Sequence, residues 1–298
     1  MVKKSLTAVI PTYNRGPVLR RALESVFSQT VPADEVIVVD DGSTDETPRL
    51  IQENFPDARY IRQNNQGVST ARNRGIAAAR SEWVAFLDSD DEWRATKLER
   101  QLDSLEELPR FRVCHTNEVW IRRGRRVNPM KKHQKYGGYI FEQCLPLCVI
   151  SPSSVVIHKS VFEELGTFDE ELPVCEDYDL WLRVCALNPV LYLEEPLVVK
   201  YGGHEDQLSR SLWGMDRFRI RALEKIIGSG KLSTDNLKAA RDVLRRKIDI
   251  YVEGAKKRGK QREVEDYLEK RRLLVSRQST LNYQLSCGTE LRSPGETD

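Results

Sequence analysis

The chain has 298 residues, of which 40% are hydrophobic and 31% are charged, with a formal net charge of +2. These values are typical of a soluble globular protein and exclude a collagen-like or low-complexity chain. No run approaches the roughly 18 apolar residues that span a bilayer, and the N-terminus lacks the cleavage site of a signal peptide, so we expect a cytoplasmic protein. The six cysteines form no C-x-x-C pair, which argues against a structural zinc site.

The first third of the chain alternates predicted strands with predicted helices. Residues 6–10 predict a strand that Pro11 ends, because proline cannot donate to a central ladder. Residues 35–39 are almost all apolar and β-branched, which is typical of a buried parallel strand. Further strands are predicted at 58–61 and 83–87, each after a helical segment. This alternation predicts a parallel, doubly wound sheet.

Acidic residues follow two of these strands. Asp41 follows the second strand, and Asp88, Asp90 and Asp91 follow the fourth. Open α/β sheets bind ligands at the carboxyl ends of their strands. Carboxylates this close repel one another unless a cation shares them, and such oxygen ligands suit Mg²⁺ or Mn²⁺ beside a diphosphate. The alternative is a solvated acidic turn that caps the next helix.

Other local patterns narrow the class of protein. A helix that begins near Gly67 carries Arg72 in its second turn, which suits a phosphate, although exposed arginines on helices are also common. The first strand is not followed by G-x-G-x-x-G, which argues against a dinucleotide dehydrogenase. The P-loop pattern G-x-x-x-x-G-K-[ST] is also absent from the sequence.

The remaining segments are less regular and then become helical. A helix is predicted from about Glu176, and its acidic first turn suits the helix dipole without any functional role. Residues 210–275 contain 19 Lys and Arg against 10 Asp and Glu, which favours an anionic partner or simply solvated helix faces. The predicted divisions are 1–206 for the α/β part, with halves 1–109 and 110–206, then 207–275 for a helical extension and 276–298 for a disordered tail.

Six motifs, taken together and in this order, resemble family 2 glycosyltransferases with a GT-A fold. The motifs are residues 9–15 (VIPTYNR), 38–43 (VVDDGS), 67–75 (GVSTARNRG), 86–91 (FLDSDD), 166–170 (GTFDE) and 176–182 (EDYDLWL). The resemblance covers about residues 5–206. It implies a GT-A-type, Rossmann-like, mostly parallel doubly wound sheet, here with a C-terminal helical extension. It also implies inverting, metal-dependent transfer of a sugar from a UDP-sugar or another nucleotide-sugar to a hydroxyl group.

The resemblance assigns the strand ends to the nucleotide. Thr12 and Tyr13 resemble residues that hold the base, with Tyr13 stacking on it. Asp41 resembles the acid that accepts a hydrogen bond from a uracil ring N–H. Asp88 would meet the ribose or a metal-bound water. The full predicted nucleotide-binding set is Pro11, Thr12, Tyr13, Asn14, Asp41, Arg72 and Asp88.

The resemblance also assigns a metal site and a catalytic base. Asp88 and Asp90 match the D-x-D motif, with Asp90 as a ligand of Mn²⁺ or Mg²⁺. His204 resembles a histidine that completes metal or diphosphate binding, although a partly exposed loop histidine is the alternative. Asp177 resembles the general base that accepts the proton of the acceptor hydroxyl. The residues predicted to lie in the acceptor or donor-sugar region are Ser153, Glu176 and Trp181.

The chain departs from the processive members of this family. It lacks the Q-x-x-R-W motif and transmembrane helices of polysaccharide synthases, so we expect single-sugar, non-processive transfer. The resemblance implies a role in the synthesis of a cell-surface polysaccharide or lipopolysaccharide. The expected acceptor is a saccharide or a lipid-linked saccharide. The basic C-terminal helices favour peripheral contact with the inner membrane face, a partner enzyme or a homodimer, and no nucleic acid partner is expected.

Two other functions remain open at this point. A nucleotidyltransferase that makes a sugar nucleotide also uses a Rossmann-like sheet and Mg²⁺. It usually carries a glycine-rich loop after the first strand, whereas residues 11–14 of this chain are Pro-Thr-Tyr-Asn. The second alternative is a non-catalytic protein that binds a sugar or a nucleotide.

Overall fold

A computed structural model describes residues 4–128, 130–203 and 213–287. The first part of the chain forms four strands, which are β1 (Leu6–Thr12), β2 (Glu35–Asp40), β3 (Arg59–Arg62) and β4 (Trp83–Phe86). The helices around them are α1 (Gly16–Phe27), α2 (Thr47–Asn54), α3 (Val68–Ala78) and α4 (Lys97–Glu107). The strand order is β3-β2-β1-β4, and every pair is parallel. The order reverses between β1 and β4, so a crevice is expected at the carboxyl ends of these two strands.

β1 continues through Pro11, which the sequence predicted would end it. The ladder between β1 and β4 stops at Val9, and the Thr12 carbonyl accepts a hydrogen bond from the Asp41 N–H on the β2 side. Because alternate residues face opposite neighbours, the N–H that Pro11 lacks would point toward β4, beyond the end of that ladder. The strand therefore loses no hydrogen bond at Pro11 and carries Thr12 to the edge of the crevice.

The second part of the chain extends the sheet in mixed directions. Its strands are β5 (Glu92–Trp93), β6 (Val113–Arg122), β7 (Arg125–Val127), β8 (Val156–His158) and β9 (Leu191–Gly202), and its helices are α5 (Phe141–Cys144), α6 (Lys159–Leu165) and α7 (Glu176–Leu187). The sheet continues from β4 in the order β8-β6-β9-β5, with β7 beside β6. β8 is antiparallel to both neighbours, whereas β6 and β9 are parallel. The predicted fold class, an α/β protein with C-terminal helices, is confirmed.

The helical extension consists of α8 (Asp216–Gly228), α9 (Thr234–Lys256) and α10 (Gln261–Cys287). The sequence predicted a disordered tail from residue 276. It stays a prediction: α10 is described as far as Cys287, and residues 288–298 lie outside the described part of the chain. No helix in the described ranges combines the length and the hydropathy needed to cross a bilayer.

Two hydrophobic clusters cover the two faces of the sheet. One contains Leu19 of α1 and Leu98 of α4. The other contains Ile76 of α3, Leu180 of α7 and Leu244 of α9 in one continuous core. The extension therefore packs into the same core as α7, the helix that carries the predicted catalytic base.

Candidate active site

The three carboxylates after β4 lie in a tight turn, which a hydrogen bond from the Asp91 N–H to the Asp88 carbonyl closes at 2.9 Å. Ser153 holds both ends of this turn. Its hydroxyl accepts a hydrogen bond from the Asp88 N–H (3.1 Å) and donates one to Asp91 Oδ2 (2.6 Å). Arg21 donates to the carbonyl oxygen of Asp90 at 2.7 Å. The turn is thus fixed from two other segments, while the side chains of Asp88 and Asp90 stay partly exposed.

Asp91 differs from its two acidic neighbours because it is buried. Burial, together with the charges of Asp90 and Asp88, raises the pKa of Asp91 to about 7, although the charge of Lys200 opposes this shift. Besides Ser153, the Asp91 carboxylate accepts a hydrogen bond from the Tyr201 N–H at 3.2 Å. The sequence marked Asp91 only as part of an acidic run, and the structure shows that it anchors the turn to β9.

Arg72 of α3 joins the turn after β4 to the start of α7. Its guanidinium group, with 4% of the side chain exposed, donates to Asp88 Oδ1 at 2.7 Å and to Glu176 Oε1 at 2.6 Å. Burial alone would raise the pKa of Asp88, but the charge of Arg72 lowers it. Charge-assisted hydrogen bonds of this length are strong. Motifs that are distant in the sequence therefore meet here, whereas the predicted contact of Arg72 with a nucleotide stays a prediction.

The predicted catalytic base lies at the start of α7. The helix begins at Glu176, as the sequence predicted, directly after Cys175, whose φ of +64° is uncommon for a residue other than glycine. Burial and the neighbouring charge of Asp177 raise the pKa of Glu176 to about 7. Asp177 is partly exposed, and its Oδ2 lies 3.3 Å from the Cys148 sulfur, which donates a hydrogen bond to it. Asp177 is thus the sequence neighbour of Glu176, which Arg72 links to Asp88.

Asp41, at the end of β2, is already engaged by the segment that leads into α3. Its carboxylate accepts hydrogen bonds from Gln63 Nε2 (2.7 Å), the Gln66 N–H (2.9 Å) and the Gly67 N–H (2.8 Å). A carboxylate has about four lone-pair positions, so one further donor can be accepted. The predicted hydrogen bond from a uracil ring N–H to Asp41 stays a prediction, and it would use this remaining position.

The end of β1 supplies the other side of the predicted base site. Tyr13 is 46% exposed. The buried hydroxyl of Thr12 has no hydrogen-bond partner among the described residues. Asn14 adopts φ +51°, and its Oδ1 accepts a hydrogen bond from the Thr44 N–H at 2.8 Å, which fixes the turn after Thr12. An exposed ring beside an unpaired buried hydroxyl suits the predicted role of these residues in holding a base.

A surface recess opens beside Asp41. It has a volume of about 610 Å³ and is lined by Gly42, Arg62, Gln63, Asn64, Asn65 and Arg74. Its volume lies in the range of small-molecule sites, about 300–1,000 Å³. Gln63 connects the recess to Asp41, and the lining contains two arginines and no acid.

Sequence reasoning assigned no role to three further charged residues near the acids. Lys200 Nζ lies 3.7 Å from Asp91 Oδ2, and Lys135 Nζ lies 3.3 Å from Glu118 Oε2. Burial would raise the pKa of Glu118, but the charges of both lysines lower it to about 2. Burial would lower the pKa of Lys200, but the charges of Asp91 and Glu118 raise it. The parallel pairing of β6 with β9 brings Glu118 close to Lys200, and no local pattern in the sequence indicates it.

The remaining predicted site residues have different positions. Ser153 lies in the site, where it holds the acidic turn. Trp181 is only 1% exposed and belongs to the hydrophobic core, and its predicted place in the acceptor or donor-sugar region stays a prediction. His204 lies outside the described residues.

The carboxylates after β4 fit a metal ion that is bound together with a diphosphate. No group of three His, Cys, Asp or Glu side chains in the described ranges is arranged to hold a metal ion by itself. Such a cage is not needed, because Mg²⁺ is usually held by one or two carboxylates, substrate phosphate oxygens and waters. Asp90 and the second oxygen of Asp88 offer such carboxylate ligands.

Residues 7–166, more than half of the chain, match the family described as "Glycosyl transferase family 2". The chain belongs to this family. Among the relatives of this family 2 chain, an uncharacterized glycosyltransferase of Rickettsia felis is 29% identical over 214 residues. The match covers 70% of this chain and 35% of the relative, so the chain spans about a third of that protein.

The structure of this chain is also similar to solved structures of other glycosyltransferases. S. aureus TarS in complex with UDP-GlcNAc superposes with a TM-score of 0.66 at 20% identity, over 82% of this chain and 71% of TarS. The mannosyltransferase PcManGT of Pyrobaculum calidifontis, in complex with GDP-Man and Mn²⁺, gives a TM-score of 0.61 at 19% identity, over 86% of this chain and 76% of PcManGT. The predicted GT-A-type fold of the family 2 chain is therefore confirmed.

Proposed function

We propose that the protein transfers a sugar from a nucleoside diphosphate sugar to a hydroxyl group, with inversion at the anomeric carbon. One observation carries the proposal. Arg72 binds Asp88 and Glu176 simultaneously, at 2.7 and 2.6 Å, so the strand end predicted to hold the donor faces the helix start that bears Asp177. Donor and base must share one cleft for inverting transfer, and this pairing supports such an arrangement.

In the proposed reaction, Asp177 accepts the proton of the acceptor hydroxyl. The hydroxyl oxygen then forms a bond to the anomeric carbon from the face opposite the diphosphate. The bond between the anomeric carbon and the diphosphate oxygen breaks, and the nucleoside diphosphate leaves with the electron pair. A positioned general base contributes about 10²–10⁴-fold to such a step.

The donor is held at the crevice between β1 and β4. Thr12, Tyr13 and Asp41 contact the base in this proposal, and Asp88 contacts the ribose or a metal-bound water. Asp90, with Asp88, holds Mn²⁺ or Mg²⁺, and His204 is proposed as a further ligand. When bound, the metal offsets the negative charge on the leaving diphosphate. The complexes of TarS with UDP-GlcNAc and of PcManGT with GDP-Man and Mn²⁺ support this class of donor and cofactor.

The acceptor is proposed to be a saccharide or a lipid-linked saccharide of a cell-surface polysaccharide or lipopolysaccharide, which receives one sugar per event. The basic extension is proposed to contact an anionic membrane surface. Part of its positive charge is already paired within the protein, for example between Lys270 and Glu224 at 2.7 Å and between Lys247 and Asp216 at 3.1 Å. The surplus of basic residues over acidic ones leaves cations for such a surface.

Release of nucleoside diphosphate from a panel of UDP- and GDP-sugars, with and without Mn²⁺, tests the proposal. We expect one nucleotide class to bind and to be turned over, and Asp90→Ala to lose both donor affinity and the response to Mn²⁺. Binding without turnover of any donor would support a non-catalytic sugar- or nucleotide-binding protein. Absence of binding to every donor would refute the proposed function.

A further inference from the structure

Lys200 of β9 carries a positive charge at the acidic turn that follows β4. Its Nζ lies 3.7 Å from Asp91 Oδ2, and its charge also interacts with Glu118, Asp88 and Asp90. The side chain is 29% exposed, so solvent and small ligands can reach it. The structure therefore contains an accessible cation among the carboxylates predicted to surround the donor diphosphate.

The ammonium group of Lys200 differs from the neighbouring cations, which donate hydrogen bonds to other residues of the protein. Arg72 makes two charge-assisted hydrogen bonds, and Lys135 donates to the Val149 carbonyl at 3.0 Å. The Nζ of Lys200 makes no hydrogen bond to any described residue, and Asp91 Oδ2, the described carboxylate oxygen paired with it, lies 3.7 Å away, beyond hydrogen-bond distance. Asp91 already accepts hydrogen bonds from Ser153 and from the Tyr201 N–H. An ammonium group has three donors, and none of those of Lys200 is taken up within the described part of the chain, so they can bind a ligand.

The neighbouring acids require such a cation if a diphosphate is to bind here. Asp88, Asp90 and Asp91 lie within four positions of the chain and repel an anion, and the guanidinium group of Arg72 is taken up by Asp88 and Glu176. A single divalent ion would have to offset the acids and the diphosphate together. Lys200 adds a fixed charge that is independent of metal binding.

We propose that Lys200 binds the diphosphate group of the donor nucleotide and stabilises it as it leaves. This inference rests on the proposed function and deepens it, because it names a residue of this chain that recognises the phosphates even without a divalent ion. A lysine acts as a point charge on phosphate oxygens and needs no fixed geometry.

Calorimetry on the full chain tests the inference in EDTA and again with Mn²⁺. The probes are the nucleoside diphosphate that the wild-type protein binds, UDP or GDP, and its own nucleoside without phosphates. The variants are Lys200→Gln, Lys200→Arg and, as a control, Lys159→Gln. Lys159 follows β8 beside the amino end of β4, away from the acidic turn, and there its N–H donates to the Glu82 carbonyl and its Nζ to the Ala79 carbonyl.

In EDTA, Lys200→Gln is expected to weaken nucleoside diphosphate binding by about tenfold or more, because one charge-assisted hydrogen bond is lost. The binding of the nucleoside should be unchanged. Lys200→Arg should restore most of the affinity, and Lys159→Gln should match the wild type. Unchanged diphosphate binding, or equal loss for nucleoside and diphosphate, would overturn the inference while leaving the proposed function intact. If the wild type bound neither UDP nor GDP, both would fall.

A second measurement on the wild-type chain covers the case in which Lys200→Gln does not fold. Because the neighbouring acids raise the pKa of Lys200, an amine-reactive reagent should modify Lys200 in the free protein slowly, and mass spectrometry of its peptide follows this over a prolonged reaction. The nucleoside diphosphate should protect Lys200 from modification, whereas the nucleoside should not, and Lys159 should react equally in all samples. Equal modification of Lys200 with and without the diphosphate would contradict the inference.

Discussion

Arg72 shows how single residues define this site. A buried guanidinium group between two carboxylates is stabilising only while all three charges are present, because each alone would be desolvated without compensation. The sequence could not identify this role, since an arginine in the second turn of a helix is equally consistent with a solvated side chain. The partners of Arg72 lie on β4 and α7, and only the tertiary fold brings them to it.

Arg72→Ala is therefore predicted to lower the free energy of unfolding by about 3–5 kcal/mol, because it leaves the buried Glu176 and the partly exposed Asp88 without their counter-charge. Urea denaturation followed by circular dichroism measures this change. Arg74→Ala is the matched control, since Arg74 is exposed two positions further along α3, and its loss should change stability by less than about 0.5 kcal/mol. A similar small effect for both variants would contradict the assigned role of Arg72.

Lys97 gives a prediction about pH. It is fully buried, its Nζ has no hydrogen-bond partner in the described part of the chain, and it lies 4.1 Å from the centre of the Trp93 ring. Burial lowers the pKa of Lys97 to about 7. Cys114 opposes this shift only weakly, because burial raises the pKa of its thiol to about 11 and keeps it neutral at lower pH. Between about pH 7 and the ordinary lysine pKa of 10.5, Lys97 carries a proton in the unfolded chain but not in the folded chain.

The stability of the wild type should consequently rise as the pH increases from about 7 to about 10, because the unfolded state binds more protons in that window. Lys97→Met removes the group and should flatten this part of the profile, with its largest gain in stability at and below about pH 7. Denaturant midpoints of both proteins across the window measure the difference. Parallel profiles would show that Lys97 does not titrate as the structure indicates.

At the scale of elements, the placement of α3 decides whether Arg72 reaches its partners. A Cβ on Gly75 would lie 2.2 Å from the Val9 side chain of β1, so glycine is needed for the close approach of this helix to the sheet. In α9, a Cβ on Gly254 would meet only the flexible end of Arg258, at 3.5 Å. The two helical glycines thus differ in the space that surrounds them.

Gly75→Ala is predicted to lower the free energy of unfolding by about 1–3 kcal/mol through overpacking. Gly254→Ala, the control, should raise it by about 0.5–1 kcal/mol through higher helix propensity. Thermal or urea unfolding of both variants measures these opposite signs. A stabilising effect of Gly75→Ala would mean that α3 does not lie against β1 as described.

Elements were predictable where their local pattern was sufficient. The buried strand β2 and the start of α7 at Glu176 follow from hydrophobic and charge patterns, and the structure agrees with both. The end of β1 was misplaced because the effect of Pro11 depends on which neighbour its missing N–H would face.

For the whole molecule, the shared core predicts cooperative unfolding. Leu244 of α9 is fully buried in the cluster that also contains Leu180 of α7. Leu244→Ala should cost about 2–5 kcal/mol, as other deletions in well-packed cores do. Near-ultraviolet and far-ultraviolet circular dichroism should shift together in one transition. Two separate transitions would show that the extension folds independently of the sheet.

The overall architecture was predictable because strand–helix alternation restricts the topology to few solutions, and family motifs specified the strand ends. The part of the sheet beyond β4, where strands run in mixed directions, was not predictable, since pairings such as that of β6 with β9 join segments that are far apart in the sequence. Lys200 and Glu118 became visible as site neighbours only through this pairing. The predicted acids, in contrast, were recognisable because each lies within a short ordered motif.

The central claim is that Asp177 at the start of α7 acts on a donor held after β4, and Asp177→Asn tests it most directly. Nucleoside diphosphate binding by calorimetry and nucleoside diphosphate release from the matching sugar nucleotide should be measured on the same preparations. The account predicts unchanged binding and a loss of release of about 10²-fold or more. Release at the wild-type rate by Asp177→Asn would contradict it.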